Sequence, residues 1–250
     1  MQNAVITGAL SGMGYETTKL FLDRGWDVLM VDAFDNEEVI DEIQDKYGID
    51  RAPFFKCDLS NAAEVKAMAE YAMQRFGKID SLLNIAGIFY KGRLHEVPEE
   101  NWDKIFNVDV KSIYLTGKYL IPYMIKTGGG TIVNVASVDG MFGAYNMSSY
   151  NAAKGAVVNM TRSMALDYAR DGIRTNCVCP GACATPMFKK NPQEKIDEFN
   201  NANPMGRLSE PIEVAKSLYF MASDESSYCN GAILMVTGGL DAYSGEPVQR

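Results

Sequence analysis

Short apolar runs and amphipathic stretches alternate along the whole of this 250-residue chain. Seven runs have the length and apolar content of strands: 4–8, 27–32, 53–58, 81–86, 130–137, 174–180 and 232–237. Between them, helical spacing covers 12–24, 37–47, 62–76, 102–126, 150–171 and 211–223. In 62–76, Val65, Met68, Ala69, Ala72 and Phe76 recur on one face, with Glu64, Lys66, Glu70 and Arg75 between them. Strands that alternate with helices predict crossover connections and a parallel sheet. Runs such as Val28-Leu29-Met30-Val31 and Ile132-Val133-Asn134-Val135 are almost continuously apolar, as strands covered on both faces are. The expectation is a doubly wound α/β fold of about seven strands with helices on both faces, forming a single domain over 1–250. One segment departs from the alternation. Residues 181–210 are rich in Asn, Pro, Lys and Glu, and a helical pattern at 194–200 predicts a substrate lid inserted in the domain.

Composition narrows the function classes. With 47% hydrophobic and 22% charged residues the chain is no disordered segment. The balance of 24 Lys+Arg against 32 Asp+Glu, net −8, argues against a general binder of nucleic acid or anionic membrane. No apolar run reaches the roughly 18 residues of a membrane span. The first basic residue is Lys19, which fits no secretory signal, and the C-terminal Pro-Val-Gln-Arg matches no lipidation or retention motif. Five cysteines (Cys57, Cys177, Cys179, Cys183 and Cys229) fall mostly in apolar runs and read as reduced, buried small hydrophobes. Cys177-x-Cys179 lacks the spacing and the histidines of a zinc site, so no metal is expected. A cytoplasmic location is expected.

Two constellations carry chemistry. Thr7-Gly8-Ala9-Leu10-Ser11-Gly12-Met13-Gly14 follows the first strand and opens a helix. Glycines there allow a tight turn and close approach of a pyrophosphate, which the helix N-terminus favours through unpaired N–H groups. Asp32 ends the second strand eighteen residues after Gly14, where a carboxylate can hold both ribose hydroxyls and repel a 2′-phosphate. No arginine or lysine lies in the glycine turn, so NAD is favoured over NADP. The second constellation is Tyr150-x-x-x-Lys154, which places both side chains on one helical face. A phenol titrates near ~10, and a neighbouring ammonium lowers that value toward the range of a working base. Ser137, expected at the carboxyl end of strand 130–137, can hydrogen-bond a substrate oxygen as it becomes a carbonyl.

Together the glycine turn, Asp32, Ser137, Tyr150 and Lys154 resemble the short-chain dehydrogenase/reductase family over essentially the whole chain, and the step of thirteen positions from Ser137 to Tyr150 matches the family's spacing. The resemblance implies a Rossmann-type fold, NAD-linked interconversion of a secondary alcohol and a ketone, and a homotetramer or, failing that, a dimer built on helices 102–126 and 150–171. By the same resemblance Asn84-Ile85-Ala86-Gly87 corresponds to the family's Asn-Asn-Ala-Gly segment, which supports the central sheet and the adenosine side, so Asn84, Ala86 and Gly87 are expected in the cofactor set. Asp58-Leu59 falls where the family holds adenine. Pro180-Gly181 with Thr185 resembles the segment that holds the nicotinamide carboxamide, and Cys183 and Met187 are expected beside it. With Gly8, Ser11, Gly12, Met13, Gly14 and Asp32, and with Tyr150 and Lys154 at the ribose, these complete the expected cofactor set.

One position departs from the family. Its pattern puts Asp109 where an asparagine is usual, so Asp109 is expected as the fourth catalytic member, with Asn107 the choice if the register shifts by two. A carboxylate there accepts hydrogen bonds but donates none, and its charge favours protonated Lys154. Near the expected pocket stand Phe89, Tyr90, Met141, Phe142, Tyr145, Met147, Met187 and Phe188, an aromatic and methionine-rich set suited to a bulky cyclic alcohol such as a hydroxysteroid or bile acid. Asp139, Asn146 and His95 keep a sugar, polyol or small diol open, and His95 itself reads first as an exposed loop residue. Remaining alternatives are an NADP-dependent ketone reductase, which Asp32 disfavours, and a non-catalytic NAD(H)-sensing protein, which should lack Ser137, Tyr150 or Lys154. No nucleic-acid or membrane partner is expected.

Overall fold

Successive side chains along each strand part to opposite faces of one sheet, and helices cover both. A computed structural model describes residues 2–242. Its strands are β1 (Asn3–Thr7), β2 (Asp27–Asp32), β3 (Phe54–Lys56), β4 (Ser81–Asn84), β5 (Gly130–Val135), β6 (Ile173–Pro180) and β7 (Ile233–Val236). They pair in parallel in the order β3-β2-β1-β4-β5-β6-β7, the doubly wound arrangement the alternation predicts. The helices are α1 (Gly12–Asp23), α2 (Glu37–Tyr47), α3 (Ala62–Phe76), α4 (Glu99–Ile105), α5 (Ser112–Lys126), α6 (Ser148–Tyr168), α7 (Pro186–Lys189), α8 (Gln193–Ala202) and α9 (Pro211–Ala222).

Ala4, Ile6, Val28 and Met30 pack with Phe21 and Leu22 of α1 and with Val214 and Leu218 of α9. Their neighbours Val5, Leu29 and Val31 face the other way, onto Val65 and Met68 of α3 and Leu115 and Leu120 of α5. Phe21 is fully buried and meets Trp26 and Tyr219 edge-on at 5.1 and 5.2 Å between ring centroids. Truncating such a ring to alanine costs about 3–5 kcal/mol. The sheet order reverses direction between β1 and β4, and helices leaving the two sides part to opposite faces. That reversal opens a crevice at the carboxyl ends of the strands.

Local chemistry fixes where the elements start and stop. Asn61 caps α3 by accepting from Ala63 N at 3.0 Å, and Gly77 at φ +70° ends that helix in the left-handed region. α1 differs: its N-cap Ser11 makes no side-chain cap bond and its first turn carries no acidic residue. The amide donors of that turn are therefore left for a ligand.

Most strands and helices start or stop one or a few residues from expectation, and three of these differences bear on the site. The single helix foreseen at 102–126 begins at Glu99 and contains a π-helical stretch, Phe106–Lys111, between α4 and α5. The wider turn inserts one residue and points Asp109 inward, where it is fully buried. β5 stops at Val135, so Ser137 does not end a strand but caps a 3-10 turn, Val138–Gly140, its Oγ accepting from Asp139 N at 3.1 Å. α6 begins at Ser148, two residues before Tyr150. Within 181–210 the chain forms α7 and α8, with Phe188 and Phe199 edge-to-face at 5.0 Å. No described helix is long and apolar enough to cross a membrane. Residues 247–250, the C-terminal Pro-Val-Gln-Arg, lie outside the described residues.

Candidate active site

The crevice begins at the glycine turn between β1 and α1. Gly8 and Gly12 sit at φ +66° and +51°, and a Cβ on Gly14 would stand 1.9 Å from Gly8 O. Only glycine at these positions lets α1 start so close to the strand end. Thr7 Oγ1 accepts from Ile85 N at 2.9 Å and Ala86 N at 3.2 Å, tying this turn to the loop after β4. The two loops border a cavity of about 410 Å³ that runs from Asp32 to Tyr150 and Lys154. Asp32 Oδ2 accepts from Leu10 N at 3.2 Å, and Oδ1 from Phe34 N at 3.4 Å, so the carboxylate is held at the rim. A pyrophosphate fits the uncapped start of α1, and a ribose diol fits Asp32. Among the described residues lining the cavity, Lys154 is the only cation.

At the far end the site depends on two buried charges. Lys154 Nζ donates to Val135 O at 3.2 Å and lies 3.0 Å from Asp109 Oδ2. That ion pair lacks hydrogen-bond alignment at Oδ2, while Asp109 Oδ1 accepts from Ile88 N at 2.8 Å. The π-helical turn thus puts Asp109, not Asn107, against Lys154. A Cβ on Gly87 would stand 3.0 Å from Lys154 Nζ and 3.3 Å from Asp109 Oδ2, so the loop after β4 closes over the pair. Burial works against the Lys154 charge, but Asp109 and Tyr150 overcome it and raise the ammonium above its ordinary value. The Tyr150 phenol is also raised. Burial is the largest cause and Asp109 and Asp139 add to it, against the lowering influences of Lys154 and the Ser137 hydroxyl. Lys154 pulls the phenol down, as its place one helical turn away predicts, but burial prevails over it. The Phe89 ring stands edge-on to Tyr150, 6.5 Å between centroids.

Gly8, Ser11, Gly12, Met13 and Gly14 line the cavity, as do Asp32, Asp58, Leu59, Ala86 and Gly87. Thr185 and Met187 also line it, and Thr185 caps α7 by accepting from Phe188 N at 3.3 Å. Four expected cofactor residues do not line it. Asn84 is buried inside the sheet, donating to Asn134 Oδ1 at 2.8 Å and accepting from Thr116 Oγ1 at 2.9 Å. Pro180 ends β6, Gly181 packs on the Thr237 backbone, and Cys183 is buried, its backbone paired in parallel with that of Ser209. Of the apolar set, Met187 and Phe89 border the cavity, whereas the Tyr145 ring is 98% exposed. His95 is exposed beside Glu96. Phe34, a large apolar residue two places after the strand-end carboxylate Asp32, also lines the cavity, a place its motif context alone does not assign.

Comparison with known proteins agrees with this geometry. A family model described as enoyl-(acyl carrier protein) reductase matches residues 8–241. Meso-2,3-butanediol dehydrogenase of Serratia marcescens is 40% identical, covering 97% of this chain and 96% of that protein. Cis-4-hydroxycyclohexanecarboxylate dehydrogenase of Sinomonas cyclohexanicum is 39% identical over 96% of each chain. The solved structure of ElxO with NADP bound superposes with a TM-score of 0.92 at 28% identity, covering 97% of this chain and 99% of that one. Glycine turn, buried Lys154 beside Tyr150, parallel sheet and relatives matching end to end lead to one assignment: the chain belongs to the short-chain dehydrogenase/reductase family of oxidoreductases.

Proposed function

We propose that this protein is an NAD(H)-dependent dehydrogenase that interconverts a secondary alcohol, largely apolar and cyclic, with its ketone. The observation that carries the reading is the Tyr150–Lys154–Asp109 cluster at one end of a cavity whose other end is a glycine turn. When bound, the nicotinamide accepts or returns the hydride, and its oxidised ring adds positive charge near the phenol. Tyr150 removes the hydroxyl proton during oxidation and returns it during reduction. Ser137 orients the substrate oxygen, its own Oγ held by Asp139 N. Lys154 holds the cofactor ribose and favours the phenolate, while Asp109 keeps the ammonium charged and in place. Gly8, Ser11, Gly12, Met13 and Gly14 would cradle the pyrophosphate, Asp58 and Leu59 the adenine, and Thr185 the carboxamide.

Asp32 supports NAD over NADP, because a 2′-phosphate would meet a carboxylate with no cation lining the cavity beside it. The ElxO structure, with NADP bound, makes NADP the reading to test against. Phe89 and Met187 favour an apolar ring, and two relatives are dehydrogenases of a diol and of a hydroxycyclohexane acid. Segment 181–210 acts as the lid: a Cβ on Gly12 would stand 3.1 Å from Thr185 Cγ2, so the start of the segment already touches the glycine turn. The chain is proposed to work in the cytoplasm as a homotetramer. Tyr114, Ile125 and Leu166 on α5 and α6, which a lone protomer leaves exposed, support that assembly. The test is reduction of NAD⁺ and of NADP⁺ with hydroxysteroids, bile acids, cyclohexanols and polyols. Turnover with NAD⁺ and a cyclic alcohol is expected; turnover with NADP⁺ alone would overturn the cofactor assignment.

A further inference from the structure

The apolar lining of the cavity is not confined to its catalytic end. Phe34 lines it two places after Asp32, and at 78% it is the most exposed of the large apolar residues described there. Among the described residues it belongs to none of the apolar clusters of the core and meets no other aromatic ring. Packing therefore gives no reason for a ring at this position. Its surroundings do. Asp32 and Lys56 are register partners on β2 and β3, and Cys57 N donates to Asp32 O at 2.8 Å, so the chain leaves the two strands side by side. Of the two segments that emerge, one carries Phe34 and the other Asp58 and Leu59, and all three residues line the cavity. Phe34 N donates to Asp32 Oδ1 at 3.4 Å, and Asp35 pairs with Lys56 at 2.9 Å, so the backbone is tied on both sides of Phe34. A ring exposed to the cavity beside a ribose-binding carboxylate suits one kind of ligand, a flat heteroaromatic base attached to that ribose. Stacking on such a base removes apolar surface of both partners from water.

Resting on the dehydrogenase reading, we propose that Phe34 is a cofactor-binding residue that stacks on the adenine of the dinucleotide, adding affinity that Asp58 and Leu59 alone do not supply. It takes no part in proton or hydride transfer. A ring that reads the face of the base is indifferent to a 2′-phosphate, so Phe34 sets how tightly a dinucleotide is held and Asp32 sets which one.

The experiment measures Kd for NADH and NADPH by fluorescence titration and for AMP by competition, in wild type, Phe34→Tyr, Phe34→Leu and Phe34→Ala. Phe34→Ala should weaken NADH by about tenfold, the size of one base stacked on an aromatic ring. NADPH should weaken by the same factor, and so should AMP, which carries the adenine without the nicotinamide. Phe34→Tyr keeps the ring and should bind within about twofold of wild type, whereas Phe34→Leu, apolar but not flat, should fall close to Phe34→Ala. Because Phe34 is outside the core, the unfolding midpoint in urea should stay that of wild type in all three variants. Full affinity in Phe34→Ala or Phe34→Leu, or a loss for NADH with none for AMP, overturns the inference and leaves the dehydrogenase reading standing. A wild-type protein that binds neither dinucleotide removes both.

Discussion

Asp109→Asn tests the electrostatics of the site with little change of shape. The variant keeps an oxygen for Ile88 N, which donates to Oδ1 at 2.8 Å, and removes a charge 3.0 Å from Lys154 Nζ. At that separation and an effective dielectric of about 20, the attraction is about 5.5 kcal/mol before desolvation offsets much of it. The sign follows from the charges. Asp109 raises the phenol, and removing it leaves the Lys154 ammonium less neutralised, so the phenol titrates lower. Oxidation needs the phenolate, so the acid limb of its pH–rate profile should move toward lower pH. Plateau turnover should stay within a few-fold of wild type. The assay is NADH formation across pH with saturating NAD⁺. An unmoved or rising limb would refute the electrostatic argument, and a loss of several hundredfold at the plateau would show that the charge itself is required.

Asp32→Ser should raise the preference for NADP⁺ over NAD⁺ in kcat/KM by about tenfold or more, because it removes a like-charge contact worth several kcal/mol; an unchanged ratio would show that Asp32 does not read the ribose. Gly14→Ala forces a Cβ to within 1.9 Å of Gly8 O. It should lower stability by about 1–3 kcal/mol in urea unfolding and weaken NADH binding measured by fluorescence, whereas unchanged binding would place the cofactor elsewhere.

Much of this was legible in the chain because period and position coincide. Strands β1 to β7 announce themselves as apolar runs, and Asp32 is conspicuous as the polar residue that ends one. Tyr150 and Lys154 share a face wherever their helix begins, so a start at Ser148 does not disturb the pair. The π-helical turn was not legible, since one inserted residue shifts a face without breaking an apolar pattern, yet it decides that Asp109 meets Lys154. Asn84 reads like a cofactor ligand from its motif. The structure shows the sheet-supporting half of that expectation, because Asn134 on the adjacent strand and Thr116 on α5 satisfy Asn84 inside the fold. The direction of the Tyr150 shift depends on depth of burial, which spacing along a chain does not encode.

The role proposed for Tyr150 is to move the proton in an alcohol oxidation. The direct measurement is alcohol-dependent reduction of NAD⁺ by wild type and Tyr150→Phe, with NADH affinity determined for both. Loss of the phenolic group should cut turnover by about 10²–10⁴-fold, the contribution of a positioned acid/base, while NADH binds within a few-fold of wild type. A Phe variant that turns over at a rate comparable to wild type would contradict the account.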